Sequence, residues 1–321
     1  MKSIFSLILV LLFLNSCDDG NINVISFDFS KAKAQSCNMG IPGKFFVFSK
    51  QDQRTFIIQT SELNFANEVT TDGSPKIILI NGTTSKVIYR EYSDKIADNT
   101  ICTAIPPVSP VVTSELNAIG GSIVITTTPI TSENATDGSS RITNYNHEIY
   151  FQNIRFNNGD SQQTNDKIAF GTYTTAATTP VNFSDLSVKN CSTTGNYLFK
   201  TSGNQALNLV VDATIFDTTI LGTPKTKLID GINNKLNYSV YTNNVNQDIL
   251  CSATAPLLSE IWEANNSTDI NGIKTGVIEV ITNSIGNGQF QHTIRLKNIT
   301  LTKNNVSFRL GTNYLFGDYT P

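Results

Sequence analysis

The chain has 321 residues, 39% of them hydrophobic, which is enough to bury the cores of two ordinary domains. Charged residues make up only 15%, the formal net charge is −3, and no basic run occurs. That balance excludes the clustered Lys and Arg that phosphate neutralisation demands, so nucleic acid is not an expected partner. Asn, Ser and Thr carry most of the polarity, as in many secreted β proteins.

The chain opens with Lys2 and an almost unbroken apolar run over residues 4–14. This run is too short for a spanning helix, which needs about 20 apolar residues, but suits the hydrophobic part of an export signal. Leu14-Asn15-Ser16-Cys17 follows. These four residues resemble the lipobox of bacterial lipoproteins, with Asn15 a mild departure from the usual small or apolar choice. The resemblance covers about 20 residues and says nothing of the body. It implies removal of residues 1–16 and a diacylglyceryl group on the Cys17 thiol. Each buried methylene contributes about 0.8 kcal/mol, so two or three acyl chains hold stably where one does not. Asp18-Asp19-Gly20 resembles the acidic surface-export tag of Bacteroidota lipoproteins, although an Asp here can hold other Gram-negative lipoproteins at the inner membrane. The expectation is a lipid anchor on Cys17 at the outer membrane, on the cell surface or, alternatively, on its periplasmic face. Residues 17–24 form the tether.

The body reads twice. Gly73-Ser74-Pro75-Lys76 recurs as Gly222-Thr223-Pro224-Lys225, 149 residues on (73 to 222), and the same offset carries Tyr89 to Tyr238, Tyr92 to Tyr241 and Cys102 to Cys251. Upstream, Phe29 and Cys37 match Phe183 and Cys191; downstream, His147 matches His292 and Phe170-Gly171 matches Phe316-Gly317. The offsets change in loop-like stretches, where insertions are tolerated. A period this long exceeds any solenoid repeat and is the size of an autonomous domain. Two homologous domains, 25–178 and 179–321, follow from a tandem duplication.

Their pattern is strand. Residues 77–80 and 86–89 are β-rich runs flanking Asn81-Gly82, a turn signal whose loop reaches Ser85. Residues 122–126 and 276–282 read as strands too, and 147–156 and 292–301 are longer runs with period-two character. The second slips phase near Asn298, the mark of a bulge. Asn157-Asn158-Gly159 and Lys303-Asn304-Asn305 punctuate each copy, and Gly120-Gly121 and Gly286 to Gly288 read as turn glycines. Leu257, Leu258, Ile261 and Trp262 are spaced for one face of a short helix within 256–264. The expected fold is all-β: two tandem homologous β-sandwich-like domains, each closed by one disulfide.

With Cys17 set aside, four cysteines remain, two in each copy. Export places them where disulfides persist, and a domain copied whole copies its own bridge. The expected pairs among the three possible connectivities are therefore Cys37–Cys102 and Cys191–Cys251. No close Cys-x-x-Cys spacing suggests a metal site.

Chemistry is harder to find. His147 and His292, the only histidines, fall at matching places and are candidate binding residues, one imidazole per domain. No carboxylate recurs beside both, which favours packing or hydrogen bonding over metal ligation, and no cofactor is expected. No Gly-x-Ser-x-Gly elbow occurs. Glu260, Glu263 and Glu279, with Asp212 and Asp217, are the candidates for paired glycosidase carboxylates, with Glu115 opposite Glu260 at an offset of 145 (115 to 260). Asp217-Thr218-Thr219 resembles a short O-glycosylation site of Bacteroidota. Tyr89 and Tyr92, like Tyr238 and Tyr241, are placed on opposite strand faces, so one of each pair is expected in the core and the other is a possible stacking surface. Trp262, the single tryptophan, has no counterpart in the first copy and is a candidate binding platform. The expected role is non-catalytic binding or adhesion at the cell envelope, with a protein or glycan ligand. The alternatives are an accessory subunit of an envelope assembly and, less favoured, a glycan hydrolase.

Overall fold

The computed structural model describes residues 27–37, 45–71, 74–103, 105, 107–158, 161–177, 183, 185–191, 194–268 and 274–321. The segment expected to be the export signal, Cys17, the expected tether 17–24 and Gly159 lie outside the described residues. Among those described, no helix is long and apolar enough to cross a membrane.

The fold is nearly all β, with a sheet and a disulfide in each copy. The first copy contributes β1 (Lys33–Cys37), β2 (Phe45–Gln51), β3 (Arg54–Thr60), β4 (Lys76–Leu79), β5 (Lys86–Tyr92), β6 (Val112–Glu133), β7 (Ser140–Asn158) and β8 (Ser161–Ala176). The second contributes β9 (Lys189–Cys191), β10 (Thr194–Ser202), β11 (Gln205–Val210), β12 (Lys225–Leu228), β13 (Lys235–Tyr241), β14 (Leu258–Ala264), β15 (Ser267–Thr268), β16 (Lys274–Thr275), β17 (Val277–Gly286), β18 (Gln289–Lys303) and β19 (Val306–Tyr319).

The sheet orders repeat. The first runs β4-β6-β5-β3-β2-β1-β8-β7, with β6 also paired to β7; the second runs β12-β17-β18-β14-β13-β11-β10-β9, with β19 on β18. The path taken by β6 is shared in the second copy by β14 and β17, which the small hairpin β15–β16 interrupts. The pairing path also returns on itself. In the first copy Thr172 N–H donates to the Ala32 carbonyl at 3.3 Å; in the second Val188 N–H donates to Asp318 O at 3.0 Å and Asp318 N–H to Leu186 O at 2.8 Å. Opposite walls of each core thus belong to one hydrogen-bonded sheet.

By contact density the chain forms two units. Unit 1 takes in the described residues of Met1–Glu62 with Ile77–Val124 and Ile149–Thr172; unit 2 takes in Leu63–Lys76, Ile125–Glu148 and Tyr173–Pro321. The strands β6, β7 and β8 contribute to both. Aromatic rings fill the unit 1 core: Phe56 touches Phe29, Tyr89 and Phe151, at centroid distances of 5.1, 5.2 and 5.2 Å. The unit 2 core is mainly aliphatic, with Leu207, Leu209, Leu236, Ile278, Val280, Ile294, Leu296 and Leu301 all fully buried.

The bridges are Cys37–Cys102 and Cys191–Cys251, with Cα atoms 5.3 and 5.4 Å apart, the pairs that duplication required. Each pins a helical turn, Asp98–Ile101 or Gln247–Leu250, over the outer face of its sheet. In the first copy Ile96, Ile101 and Tyr92 thereby cover Phe48 and Ile57; in the second Tyr241 and Val245 cover Ala206. Both faces of β3 and β11 are consequently buried, which is why Phe56-Ile57-Ile58 and Ala206-Leu207 do not alternate polar with apolar. It also corrects the reading of the tyrosines. Tyr89 and Tyr92 are 0% and 5% exposed, and Tyr238 and Tyr241 are 3% and 7% exposed. The faces are opposite, but the disulfide-held lid buries the outer one as well, so neither ring is a surface platform.

Several local readings hold. The Asn81 side chain accepts from the backbone N–H groups of Thr83, Thr84 and Ser85, and Asp230 does the same for Ile232, Asn233 and Asn234. These short polar side chains cap their own loops. Asn298, at φ +52°, sits in the left-handed region where the register shifts, as a bulge requires, and Asn153 at φ +49° repeats it. Two readings fail. Residues Leu258–Ala264 are strand β14, not helix, because pairing to β13 overrides the local spacing; Trp262 and Ala264 point inward while Leu258 and Ile261 face out. Gly120-Gly121 is not a turn but lies inside β6. At Gly121 the φ is +105° and an added Cβ would stand 2.7 Å from the Asn153 carbonyl oxygen, so the glycine permits a close strand approach.

Candidate functional site

Unit 2 contains a cleft of about 710 Å³. One wall is the outer part of the β6–β7 hairpin, from Ser132 to Tyr145; the other is β19, with Phe308, Arg309 and Tyr314; the floor is Tyr238, Glu260 and Trp262. The hairpin reaches the cleft because it runs well past the histidine at its base. The equivalent hairpin β17–β18 turns soon after its own histidine, at Asn287-Gly288.

Backbone and side chain sew the walls together. Arg309 N–H donates to Ser140 Oγ at 2.9 Å, its guanidinium pairs with Glu133 at 2.9 Å, and Thr312 N–H donates to the Asp137 carbonyl at 2.8 Å. The turn between the strands is itself ordered by Asn134 and Asp137, whose side chains accept from Thr136 N–H and Ser139 N–H. Ile142 and Tyr145 of β7 belong to the buried unit 2 core, so apolar burial anchors the hairpin as well.

On the floor, Trp262 Nε1–H donates to Glu260 Oε2 at 3.1 Å, and the same oxygen lies 3.5 Å from Lys303 Nζ. Lys303 also stands 5.7 Å over the Trp262 ring, within cation–π range. Phe308 meets Trp262 edge-on at 5.1 Å and Tyr238 at 6.1 Å. Burial, with the Glu260 carboxylate adding to it, pushes the Tyr145 phenol up to about 12 and raises that of Tyr238; burial alone takes Tyr314 to about 12. All three phenols therefore keep their protons at neutral pH and serve as hydrogen-bond donors as well as acceptors.

Trp262 is thus in the cleft, but as a nearly buried floor rather than an exposed platform. Strand register also supplies the counterpart that alignment had missed. Trp262 pairs with Tyr238 as Leu116 pairs with Tyr89, so Leu116 is its equivalent. Glu115 is set against Arg90, with which it forms an ion pair at 2.7 Å, whereas Glu260 is set against Val240; the two carboxylates are not equivalent. Of the candidate hydrolytic carboxylates only Glu260 lines the cleft. Glu279 pairs with Lys297 at 3.2 Å, Asp212 with Lys227 at 3.1 Å and Asp217 with Lys225 at 3.2 Å. Thr219 of the possible glycosylation site is hydrogen-bonded to Asp217 at 2.8 Å, and Thr218 is exposed.

The histidines lie elsewhere in unit 2, both buried, and His147 sits in a closed cage. His147 is 0% exposed; Nδ1 is 2.9 Å from Thr127 Oγ1 and Nε2 is 2.9 Å from Thr175 Oγ1. The Asn67 amide donates to Ala176 O at 2.8 Å, which turns its oxygen to receive the Thr175 hydroxyl at 2.6 Å. Thr175 has then spent its proton and must accept from Nε2–H, leaving Nδ1 to accept from Thr127. Both nitrogens of a neutral imidazole are satisfied. Phe65 stands edge-on to the ring and Tyr173 stacks on it at 5.9 Å. His292 has similar surroundings, with Thr282 Oγ1 2.9 Å from Nδ1, Phe216 edge-on at 5.0 Å and Tyr319 stacked at 5.9 Å. Burial, with Lys76 nearby, lowers His147 to about 4; burial, with Lys225 nearby, lowers His292. These histidines are placed to join strands. Among the described residues no three His, Cys, Asp or Glu side chains gather as a metal site would need.

No protein-family model matches the chain, and comparison with curated proteins and with solved structures finds no match.

Sequence reasoning reached Trp262 but not Glu133, Arg141, Tyr145, Phe308, Arg309 or Tyr314. They come from segments some 170 residues apart, and no local motif joins them. The unequal hairpin lengths were the one available signal.

Proposed function

We propose that the chain is an exported lipoprotein, held by acyl chains on Cys17 at the outer membrane and facing the cell exterior, whose folded part is a non-catalytic binding protein. The observation that carries the binding role is the unit 2 cleft. Its polar groups hold one another in place, Arg309 against Glu133 and Glu260 against Trp262 and Lys303, and no nucleophile is set against a base at its floor. Its volume lies within the range of about 300–1,000 Å³ found for small-molecule sites. The lipid anchor is supported by Leu14-Asn15-Ser16-Cys17 after the apolar run, and export by two formed disulfides in a chain of this size.

Mass spectrometry of protein purified from membranes tests the anchor. The expected product begins at Cys17 and carries diacylglyceryl mass; an unmodified thiol there refutes the anchor. Protease treatment of intact cells should digest the body, and protection would place it on the inner face of the membrane.

An accessory role in an envelope assembly has one observation in its favour. Val111 and Val112 at the start of β6, and Leu257 and Leu258 at the start of β14, are exposed apolar pairs at matching positions. Co-purification from detergent-solubilised envelopes, compared with a Leu257→Ser/Leu258→Ser variant, tests it.

A further inference from the structure

The cleft has a composition that selects among ligand classes. Its ionised groups nearly balance: Glu133, Asp137 and Glu260 against Arg141 and Arg309, with Lys303 beside the floor. A nucleotide or other polyanion needs a surplus of cationic donors, which is absent. A fatty acyl chain needs a dry apolar tube, whereas this lining mixes charged side chains with rings. A ligand that fits must offer apolar faces to Phe308, Tyr314 and Tyr145. At its edges it must offer groups that donate to carboxylates and accept from guanidinium and phenol alike. Hydroxyl groups do both.

A pyranose ring meets those terms, with C–H faces above and below and hydroxyls around its rim. We infer that the unit 2 cleft binds a short neutral saccharide, seated between the β6–β7 hairpin and β19 over the Trp262 floor. This rests on the reading of the cleft as the binding site. The ion pair Glu133–Arg309 fixes both rim groups before the ligand arrives, so little side-chain entropy is lost on binding. The first copy does not repeat the floor of this site. In the first copy Leu116 stands where Trp262 does, and Phe27 lies edge-on against Tyr89 at 4.8 Å.

Trp262 is the only tryptophan in the chain, so its intrinsic fluorescence reports on the cleft alone. The full chain is titrated with neutral di- and trisaccharides of glucose, galactose, mannose and N-acetylglucosamine. Digalacturonate serves as the charged counterpart and N-phenyl-1-naphthylamine as an apolar probe. The expected result is a saturable change in Trp262 emission with at least one neutral sugar, at least tenfold weaker with the uronate. Phe308→Ala should weaken it tenfold or more. Arg141→Ala, an exposed rim change that leaves the core untouched, should weaken it about fivefold. If only the naphthylamine perturbs Trp262, the saccharide class is wrong and the binding cleft stands. If no ligand perturbs it, both fail. An Arg141→Ala protein with unchanged sugar affinity would also overturn the inference, because the sugar would then sit elsewhere.

Discussion

Acidification should destabilise unit 2 well above the range where carboxylates protonate, because its buried imidazole refuses a proton that the unfolded chain accepts. His147 holds a folded pKa of about 4 against an ordinary imidazole value of 6.5. Between those two values the unfolded state carries more protons than the folded one, so stability falls as pH drops through 6.5 and levels off below about 4. From pH 7.5 to 4.5 the linkage amounts to about 2–3 kcal/mol for this one group, at 1.36 kcal/mol per unit. His292 is shifted in the same direction and adds to it. The depressed carboxylates, among them Asp212, Asp217 and Asp230, act the same way but in a lower window, below their ordinary range near pH 4. The assay is urea unfolding followed by Trp262 fluorescence at half-unit pH steps, for the native chain and for His147→Gln. The variant starts lower, since it breaks the cage, but its stability should decline less between pH 6.5 and 4.5 by about 2–3 kcal/mol. Parallel curves for the two proteins would refute the closed cage.

Three further outcomes follow from the fold. Removing the second bridge as Cys191→Ala/Cys251→Ala, across a sequence separation of 60, should lower unfolding stability by up to about 4 kcal/mol on the chain-entropy account, with a matching loss on reduction of the native chain. Gly317→Ala should cost more than about 3 kcal/mol, because Gly317 sits at φ +143° and a new Cβ would stand 2.2 Å from the Leu186 carbonyl oxygen; thermal unfolding reads this, and a shift of less than a degree would count against the strand closure. Leu207→Ala, at a fully buried position in β11, should cost about 2–5 kcal/mol, measured by the same urea titration, while Leu257→Ala, 75% exposed, should change stability by no more than about 0.5 kcal/mol.

Much of the fold was legible before any coordinates. A gapless offset from Gly73 to Cys102 exposed the duplication, and with the upstream match of Cys37 to Cys191 it gave the two disulfide pairs. Asn81-Gly82 announced its loop, and the phase slip near Asn298 announced its bulge. Each of these depends on residues close together in the chain or on a comparison of the chain with itself. The errors have a common cause. Leu257, Leu258, Ile261 and Trp262 have helical spacing, yet pairing with β13 makes them strand, because ladder hydrogen bonds supplied by a distant segment outweigh a weak local preference. One tyrosine of each pair was expected on an open face, since nothing local shows that a disulfide-held lid folds over Tyr92 and Tyr241.

The sequence by itself determined the all-β class, the two copies and their bridges, because turn chemistry, alternation and self-similarity act over short range. Tertiary structure alone decided the histidine cage and the cleft. Thr127, His147, Thr175 and Asn67 meet only through strand pairing, and Glu133 meets Arg309 only because one hairpin outreaches its duplicate. Their energies come from burial and from hydrogen bonds closed across long chain separations, which no periodicity in the chain can record.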